Sequence, residues 1–455
     1  MKIVIVGCGK IGTTIIESLE SEGHDITAVD VNHKVTDDIG SIYDIMCVCG
    51  NGVDYDTLME AEVPKAELLI AVTNSDEINM LICYIAKKMG ASHTAARVRN
   101  PEYNYNKLDQ LKQYLDLSLT INPEFLAAQE VFNILKLPAA LNIETFSRRN
   151  FEMVELILRE EAQLDGISLA NLRKKYNKAN FLICVVKRGE NVYIPDGNFE
   201  LKNGDRICIT ADYSEIQKLL KMLGLAKKHS KNVMILGAST TAYYLAKMLL
   251  RSGSNVTIID KELERCDRFA DMLPGAVVIN GDGNHQEVLM EEGITSVDAF
   301  TALTGIDEEN ILISFFAKSQ NVSRVIAKIN QAELASMAQK LGLDSIVSPK
   351  RAVSNVITSY ARALQNTLGS NIETMYKLMD GKVEALEFNV QSDFKNQHIK
   401  LKNMRLKKDV LIAGIIRKRN AFIPTGDDEL IAGDKIIVIA KEAEHKMNDL
   451  SDILR

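Results

Sequence analysis

The residues best equipped for chemistry in this chain are a glycine-rich hexad and an acid. Gly7-Cys8-Gly9-Lys10-Ile11-Gly12 follows the apolar run KIVIV and opens a helical pattern over Ile11–Glu22; the next strand pattern, Ile26–Asp30, ends in Asp30. In such a unit Gly7 permits a tight turn, Gly9 lets the backbone come close to a pyrophosphate, and Gly12 lets the helix pack on the sheet. The N–H groups that open the helix face the phosphates with the positive end of the helix dipole behind them. Asp30 stands where it can accept hydrogen bonds from ribose hydroxyls, and its charge repels a 2′-phosphate. The unit therefore suits NAD(H) or an adenine nucleotide better than NADP. A glycine turn that binds nothing is the plainer alternative, but strand, loop, helix and acid in this order favour a nucleotide site.

The same unit recurs in register. NVMIL is followed by Gly237-Ala238-Ser239-Thr240-Thr241-Ala242, a helical pattern, and a strand ending in Asp260. Here Ser239 replaces the second glycine and Ala242 the third. Alanine is tolerated at the third position, whereas serine adds bulk where a pyrophosphate must approach. Gly281-Asp282-Gly283 matches Gly50-Asn51-Gly52 of the first copy. The second copy is thus expected to bind more weakly, to take a different nucleotide, or to be empty, although the hydroxyls of Ser239, Thr240 and Thr241 could themselves hydrogen-bond phosphate.

A loop after the fourth strand pattern, Ala71-Val72-Thr73-Asn74-Ser75-Asp76-Glu77-Ile78-Asn79, is matched by Ala302-Leu303-Thr304-Gly305-Ile306-Asp307-Glu308-Glu309-Asn310. It falls where strand carboxyl ends border a ligand crevice. Thr73 and Asn74 could touch a cofactor, while Ser75 or Asp76 suits a helix N-cap. Arg97 and Arg99, at the end of the fifth strand, could meet phosphate or a partner subunit, or be surface charge. The histidines (His24, His33, His93, His229, His285, His398 and His445) are isolated, with no metal-ligand spacing. No hydride-transfer constellation and no phosphate-loop motif of the GxxxxGK type is present, which argues against an enzyme. The seven cysteines form no CxxC pair and read as reduced thiols, with Cys47 and Cys49 expected to pack into the core.

The elements that must position these residues alternate between strand and helix. The 455 residues leave room for about three domains. Strand patterns at KIVIV, Ile26–Asp30, Ile45–Cys49, Leu68–Val72 and Thr94–Val98 alternate with helical ones, which implies a doubly wound parallel sheet. From about Thr145 a small α+β module follows. Its FEMVELILRE reads as a half-exposed strand, and FLICVVKR, VYIP and DRICITA complete a hairpin-containing sheet. After Lys227-Lys228-His229-Ser230-Lys231 the large pattern restarts, and from about Tyr376 the small one returns. The expected architecture is α/β: two Rossmann-like doubly wound parallel sheets, each followed by a small α+β subdomain, with boundaries at 1–140, 141–226, 231–370 and 371–455. A net charge of −7 disfavours bulk nucleic-acid binding, and no apolar run reaches bilayer length. Met1–Val6 leads straight into a strand rather than a signal peptide.

GCGKIG, the Asp30 strand end, GNG, AVTNSDEIN and ARVRNPEY, each echoed in a second half, resemble the TrkA family over essentially the whole chain. That family comprises cytoplasmic regulatory subunits of Trk-type potassium uptake systems, built from RCK (KTN) units. The resemblance implies NAD(H) binding, and often ATP or ADP binding, in the large subdomains. It further implies a homo-oligomeric, tetrameric ring peripheral to the inner face of the plasma membrane, beneath a membrane-embedded potassium transporter that it gates. The binding positions it implies are Gly7, Cys8, Gly9, Lys10, Ile11, Gly12, Asp30, Thr73, Asn74 and Arg97 in the first half. In the second they are Gly237, Ala238, Ser239, Thr240, Thr241, Asp260, Thr304 and Lys328. An NAD-dependent oxidoreductase, or a nucleotide sensor for a different cation channel or exporter, are the alternatives to be separated from it.

Overall fold

The computed structural model describes residues 1–101, 103, 105–136, 141–146, 151–176, 180–225, 230–343, 345–366, 372–418, 420–441, 447 and 449–454. The chain divides into two compact units, 1–132 with 230–358, and 133–229 with 359–455. The polar stretch Lys227-Lys228-His229, along with Glu102 and His445, lies outside the described residues.

In the first unit the strands β1 (Lys2–Val6), β2 (Asp25–Asp30), β3 (Met46–Cys49), β4 (Leu68–Ala71), β5 (His93–Arg97) and β6 (Leu119–Ile121) alternate with helices. These are α1 (Lys10–Ser21), α2 (His33–Ile42), α3 (Tyr55–Glu60), α4 (Asp76–Met89), α5 (Tyr105–Leu115) and α6 (Pro123–Lys136), the last running on into the second unit. The strands are parallel in the order β3-β2-β1-β4-β5-β6. This is the doubly wound order in which the chain reverses between β1 and β4 and opens a crevice at their carboxyl ends. Ile3, Val4, Ile5, Leu68, Leu69 and Ile70 are fully buried, because helices cover both faces of the central strands.

The second unit opens with β7 (Asn142–Phe146), β8 (Phe151–Ile157), α7 (Leu169–Lys175), β9 (Leu182–Arg188), β10 (Asn191–Tyr193), β11 (Arg206–Asp212) and α8 (Tyr213–Met222). The chain then returns to the first unit and repeats the large pattern. Its strands there are β12 (Asn232–Leu236), β13 (Asn255–Asp260), β14 (Val277–Asn280), β15 (Ala299–Ala302), β16 (Arg324–Lys328) and β17 (Ile346–Val347). The helices are α9 (Thr240–Arg251), α10 (Leu263–Met272), α11 (Gln286–Glu291), α12 (Asp307–Ser319), α13 (Ala332–Lys340) and α14 (Pro349–Asn366). The strand order β14-β13-β12-β15-β16-β17 copies the first sheet. A second small sheet of β18 (Ile372–Leu378), β19 (Val383–Asn389), β20 (Val410–Arg417), β21 (Asn420–Phe422) and β22 (Lys435–Lys441) completes the chain. The two small sheets, β10-β9-β11-β8-β7 and β21-β20-β22-β19-β18, share one antiparallel topology. The two Rossmann-like sheets and the two small α+β sheets expected from the sequence are therefore present.

Within the first unit the two large halves touch. Tyr244 on α9 donates its hydroxyl to the Arg99 carbonyl at 3.1 Å, receives a hydrogen bond from the Asn122 amide at 3.0 Å, and meets Phe125 edge-on at 5.4 Å. Ser18 on α1 hydrogen-bonds Ser354 on α14. Within the second unit the two small sheets share an apolar core. Phe151, Met153, Val185 and Cys208 from one pack with Leu378, Val383, Ala413, Ile416 and Ile439 from the other.

Three expectations are corrected by this packing. FEMVELILRE is not half-exposed: Phe151, Met153, Val154, Glu155 and Leu156 are all buried. One face covers its own module's core and the other faces the second module. Buried Glu155 is held there by Arg206 at 3.0 Å and by the Met379 N–H at 3.0 Å, and Arg206 also pairs with Asp380 at 3.0 Å. Cys47 and Cys49 do not enter the core. β3 is an edge strand, and its outward face leaves Cys47 half-buried and Cys49 exposed. Finally, β6, β7, β17 and β18 are strands that the sequence pattern did not distinguish.

Two variants test the shared core. A Cβ at Gly414 would lie 2.5 Å from the Phe151 ring, so Gly414→Ala forces the sheets apart. It should cost about 1–3 kcal/mol of stability by denaturant titration, and an unchanged midpoint would contradict the packing. Glu152 sits beside Lys136 and Asp212 with Oε2 buried and without a partner, and burial, the largest cause, lifts its pKa from 4.5 to about 7. A raised carboxyl pKa means the folded state holds its proton longer than the unfolded one, so this group erodes stability as pH rises from 4.5 to about 7. Glu152→Gln should therefore gain stability over the parent across that window, by about 1 kcal/mol once partial exposure is allowed for, with the two curves meeting at low pH.

Candidate functional site: two glycine-loop crevices

The first crevice is built at the carboxyl ends of β1, β2 and β4. Gly7 has φ +95°, and a Cβ there would lie 2.8 Å from the Thr73 nitrogen; at Gly12 it would lie 2.0 Å from the Gly7 carbonyl oxygen. Both glycines are thus fixed by the fold itself. Gly9 is different. Its backbone is extended (φ −67°, ψ −172°) and nothing lies within 4 Å of the position a Cβ would take. It is the N-cap residue of α1 and offers no side-chain cap to the helix N–H groups. An exposed Gly9 and Lys10 thus leave an open helix N-terminus facing the crevice, the arrangement that suits an anion.

Asp30 closes the loop from the side. Its Oδ2 accepts the Cys8 N–H at 2.7 Å and its Oδ1 accepts the Asn32 N–H at 2.9 Å. The carboxylate ties the glycine loop to β2 while keeping lone pairs on the crevice side. Cys8 is buried against the Val29 carbonyl, and burial beside the Asp30 charge pushes its thiol up to about 12, so it is a packing group rather than a nucleophile. Ile11 is half-buried on α1.

Thr73 and Asn74 come to the same rim from the β4–α4 loop. Asn74 is exposed at its tip, its carbonyl gripped by Arg99 at 2.7 Å. Thr73 is held from below by fully buried Asn79, whose Oδ1 accepts from the Thr73 N–H (2.8 Å) and hydroxyl (2.6 Å). The Asn79 amide donates to the Thr73 carbonyl (3.3 Å) and the Arg97 carbonyl (3.0 Å). Ser75 is the N-cap of α4. Asp76 accepts the Arg99 and Asn100 N–H groups at 2.9 and 2.8 Å, anchoring the chain after β5. The sequence offers Ser75 or Asp76 as the cap, and the structure uses Ser75; the clamping roles of Asn79 and Asp76 were not foreseen. The signal was there as a repeated Thr-x-x-Asp-x-x-Asn at Thr73, Asp76, Asn79 and at Thr304, Asp307, Asn310.

The second crevice repeats the Asp and Asn contacts of this frame, although Ile306, in the place of Ser75, gives α12 no side-chain cap. Asp260 accepts the Ala238 and Glu262 N–H groups at 2.6 and 2.9 Å. Asn310 accepts from the Thr304 N–H and hydroxyl at 3.0 and 2.8 Å and donates to the Lys328 carbonyl at 2.9 Å. Asp307 accepts the Asn330 and Gln331 N–H groups at 2.8 and 2.9 Å. Gly237, Ala238, Ser239, Asp260 and Thr304 line a cleft of about 220 Å³. The glycine position differs: Ser239 caps α9 itself, its Oγ accepting the Ala242 N–H at 3.4 Å. Thr240 is half-buried at the first turn, and Thr241 is buried in the helix.

Arg97 and Lys328 occupy equivalent strand ends but neither is a surface charge. Arg97 is buried and bonds Glu124 at 3.2 Å. Lys328 donates to the Leu303 carbonyl at 3.3 Å; burial lowers its pKa, against the pull of the nearby Glu124 and Asp307 carboxylates. Glu124, supplied by α6, thus pairs with Arg97 and adds its charge to the surroundings of Lys328. Among the described residues no cluster of His, Cys, Asp and Glu has the form of a metal site.

A duplicated doubly wound sheet, each copy with a glycine-loop turn, a helix N-terminus and an acid at the strand end, and each followed by a small antiparallel module, defines a tandem Rossmann-like class. Family models agree: the TrkA-N domain matches residues 3–123 and 233–349, and the TrkA-C domain residues 153–224 and 385–451. The chain belongs to the TrkA family. It is 31% identical over 443 residues to the Trk system potassium uptake protein TrkA homolog of Archaeoglobus fulgidus, covering 97% of each. Among solved structures it is similar to the GsuK RCK domain (18% identity, TM-score 0.63, 97% of this chain and 92% of that chain). It is also similar to the GsuK channel bound to NAD (18% identity, TM-score 0.63, 97% of this chain and 77% of that chain). No helix among the described residues is long and apolar enough to cross a membrane.

Asn79→Ala tests the clamp. It leaves the Thr73 N–H and two carbonyls without their buried partner and should cost about 2–4 kcal/mol in denaturant unfolding, where a loss under about 1 kcal/mol would show the clamp to be incidental.

Proposed function

We propose that this chain is the nucleotide-binding regulatory subunit of a Trk-type potassium uptake system, with NAD(H) as the ligand of the first crevice and ATP or ADP as competitors for it. The observation that carries this is the uncapped N-terminus of α1 at an open Gly9, beside the Asp30 carboxylate at the end of β2. Gly7 to Gly12 cradle the pyrophosphate, Asp30 takes the ribose hydroxyls, and Thr73 and Asn74 close the far rim. Arg97, behind that rim, balances Glu124 and sets the charge beneath the ligand. The relative's name, a potassium uptake protein matched over nearly its full length, and the NAD-bound channel of similar fold support the reading. The chain acts by binding rather than by turnover, as a cytoplasmic homo-oligomer, a tetrameric ring in the simplest case, on a membrane-embedded potassium transporter.

Regulation needs more than affinity. A ligand shifts the partner's state only if it binds two arrangements of the subunit with different strength. The loop after β4 is the part suited to sense this, because Asn79 links its position to the end of β5 and so to Arg97.

Gly9→Val is the direct test. The extended backbone accepts valine and nothing lies within 4 Å of its Cβ, so the cost should be confined to a poorer helix N-cap, about 1 kcal/mol, and the chain should stay folded. NADH affinity should fall at least about tenfold by calorimetry, since the side chain fills the place of the pyrophosphate. Potassium uptake in cells carrying the variant should cease to respond to the nucleotide. Undiminished NADH binding by a folded Gly9→Val chain would remove the first crevice as the site.

A further inference from the structure

The far rim of the first crevice is held from outside its own half of the chain. Asn74 forms the tip of that rim, and Arg99 grips it, Nη2 donating to the Asn74 carbonyl at 2.7 Å. The Arg99 side chain is 42% exposed, and its Nε lies 3.9 Å from Asp76. A long, partly exposed side chain loses much rotamer freedom when it is held to one direction, so the backbone it springs from must be fixed. Asp76 fixes one side, accepting the Arg99 N–H at 2.9 Å. The other side is the Arg99 carbonyl, which accepts from the Tyr244 hydroxyl at 3.1 Å and from the Asn122 amide at 3.4 Å.

Tyr244 belongs to the second half, on α9, the helix whose N-cap Ser239 lies in the second crevice. Its ring is placed edge-on to Phe125 at 5.4 Å and to Tyr243 at 5.5 Å. Its oxygen donates to the Arg99 carbonyl and accepts from the Asn122 amide at 3.0 Å, two roles that a phenol fills at once and a phenyl ring does not. Burial pushes this hydroxyl up to about 12, so it keeps its proton and remains a donor. The mirrored positions lack the arrangement. Thr14, the fifth residue of α1 as Tyr244 is of α9, donates to the Lys10 carbonyl of its own helix at 3.0 Å. Asn330, second after β16 as Arg99 is second after β5, donates to Asp307 at 3.1 Å, and Gly305 stands where Asn74 does. A phenol from one half set on the guanidinium-bearing residue of the other thus occurs on one side of the pair.

We propose that Tyr244 is a positioning residue of the first nucleotide site: the second half of the chain completes the first crevice by fixing the Arg99 backbone, which aims the guanidinium at Asn74 and holds that rim in its ligand-facing place. This rests on the nucleotide-binding reading of the first crevice. Tyr244 acts through Arg99 and touches no ligand itself.

The test is a double-mutant cycle read by calorimetric titration with NADH, on the full chain as parent, Tyr244→Phe, Arg99→Ala and the pair together. Phenylalanine keeps the ring beside Phe125 and removes the hydroxyl alone, so the fold is retained. Tyr244→Phe should weaken NADH binding at least about fivefold, and Arg99→Ala at least as much. In the Arg99→Ala background, Tyr244→Phe should change the affinity by less than about twofold, because the side chain it positions is gone. Parent-like affinity in Tyr244→Phe or in Arg99→Ala would overturn the assignment. So would a Tyr244→Phe loss repeated in full without the Arg99 side chain, which marks a general structural role. The parent titration separates these from failure of the site itself: NADH bound by the parent with no such coupling refutes only the role of Tyr244, whereas no NADH bound by the parent removes the site and this role with it.

Discussion

The hydrogen bond from the Cys8 N–H to the Asp30 carboxylate, repeated from Ala238 to Asp260, is the constraint on which both crevices depend. It joins the loop after one strand to the end of its neighbour and so fixes where the helix N-terminus points. A carboxylate that accepts backbone N–H groups is a charge-assisted contact, stronger than a neutral one. It also explains why the acid persists in the second copy, where the second and third glycines do not: Asp260 holds the frame whatever the cleft binds. A second buried pair, Asn79 and Asn310, does the same for the opposite rim. The small modules are tied alike, with Arg188 on Asp205 and Arg417 on Asp434 at 2.8 Å. Duplication has kept these polar clamps more faithfully than the residues around them.

The frame leaves the ligand-facing positions free to diverge. Gly9 became Ser239, which turns an open helix end into a capped one. Val31 and Val35 became Lys261 and Arg265, moving positive charge to the other end of the cleft. Arg97 is paired with Glu124, whereas Lys328 at the equivalent strand end bonds the Leu303 carbonyl. Burial makes the Arg97 pairing matter, because a buried charge without its partner is costly.

Much of this was legible in the sequence, for reasons that are local. A glycine turn, an apolar strand and a terminal acid occupy one short stretch, and their recurrence marks the second copy without any tertiary knowledge. That α4 starts with a cap at Ser75 or Asp76 follows from residue type and place, and Ser75 takes the role. What was hidden depends on residues distant in the chain. Strand β8 reads as half-exposed because the module that covers its second face lies more than two hundred residues away. Arg97 reads equally as a phosphate contact, a partner contact or surface charge because Glu124, which it bonds, belongs to the next helix but one. Asn79 looks like an ordinary helix residue until the Thr73 loop folds over it. Cys49 looks like core because strand order, which puts β3 at the edge, is not written in alternation.

The most direct measurement of the central claim is the stoichiometry of NADH binding to the unmodified chain by calorimetric titration. An uncapped helix end in the first crevice and a self-capped one in the second predict one saturable NADH site per chain. Absence of saturable binding would make both crevices scaffolds, and two equivalent sites per chain would contradict the distinction between an uncapped and a self-capped helix end.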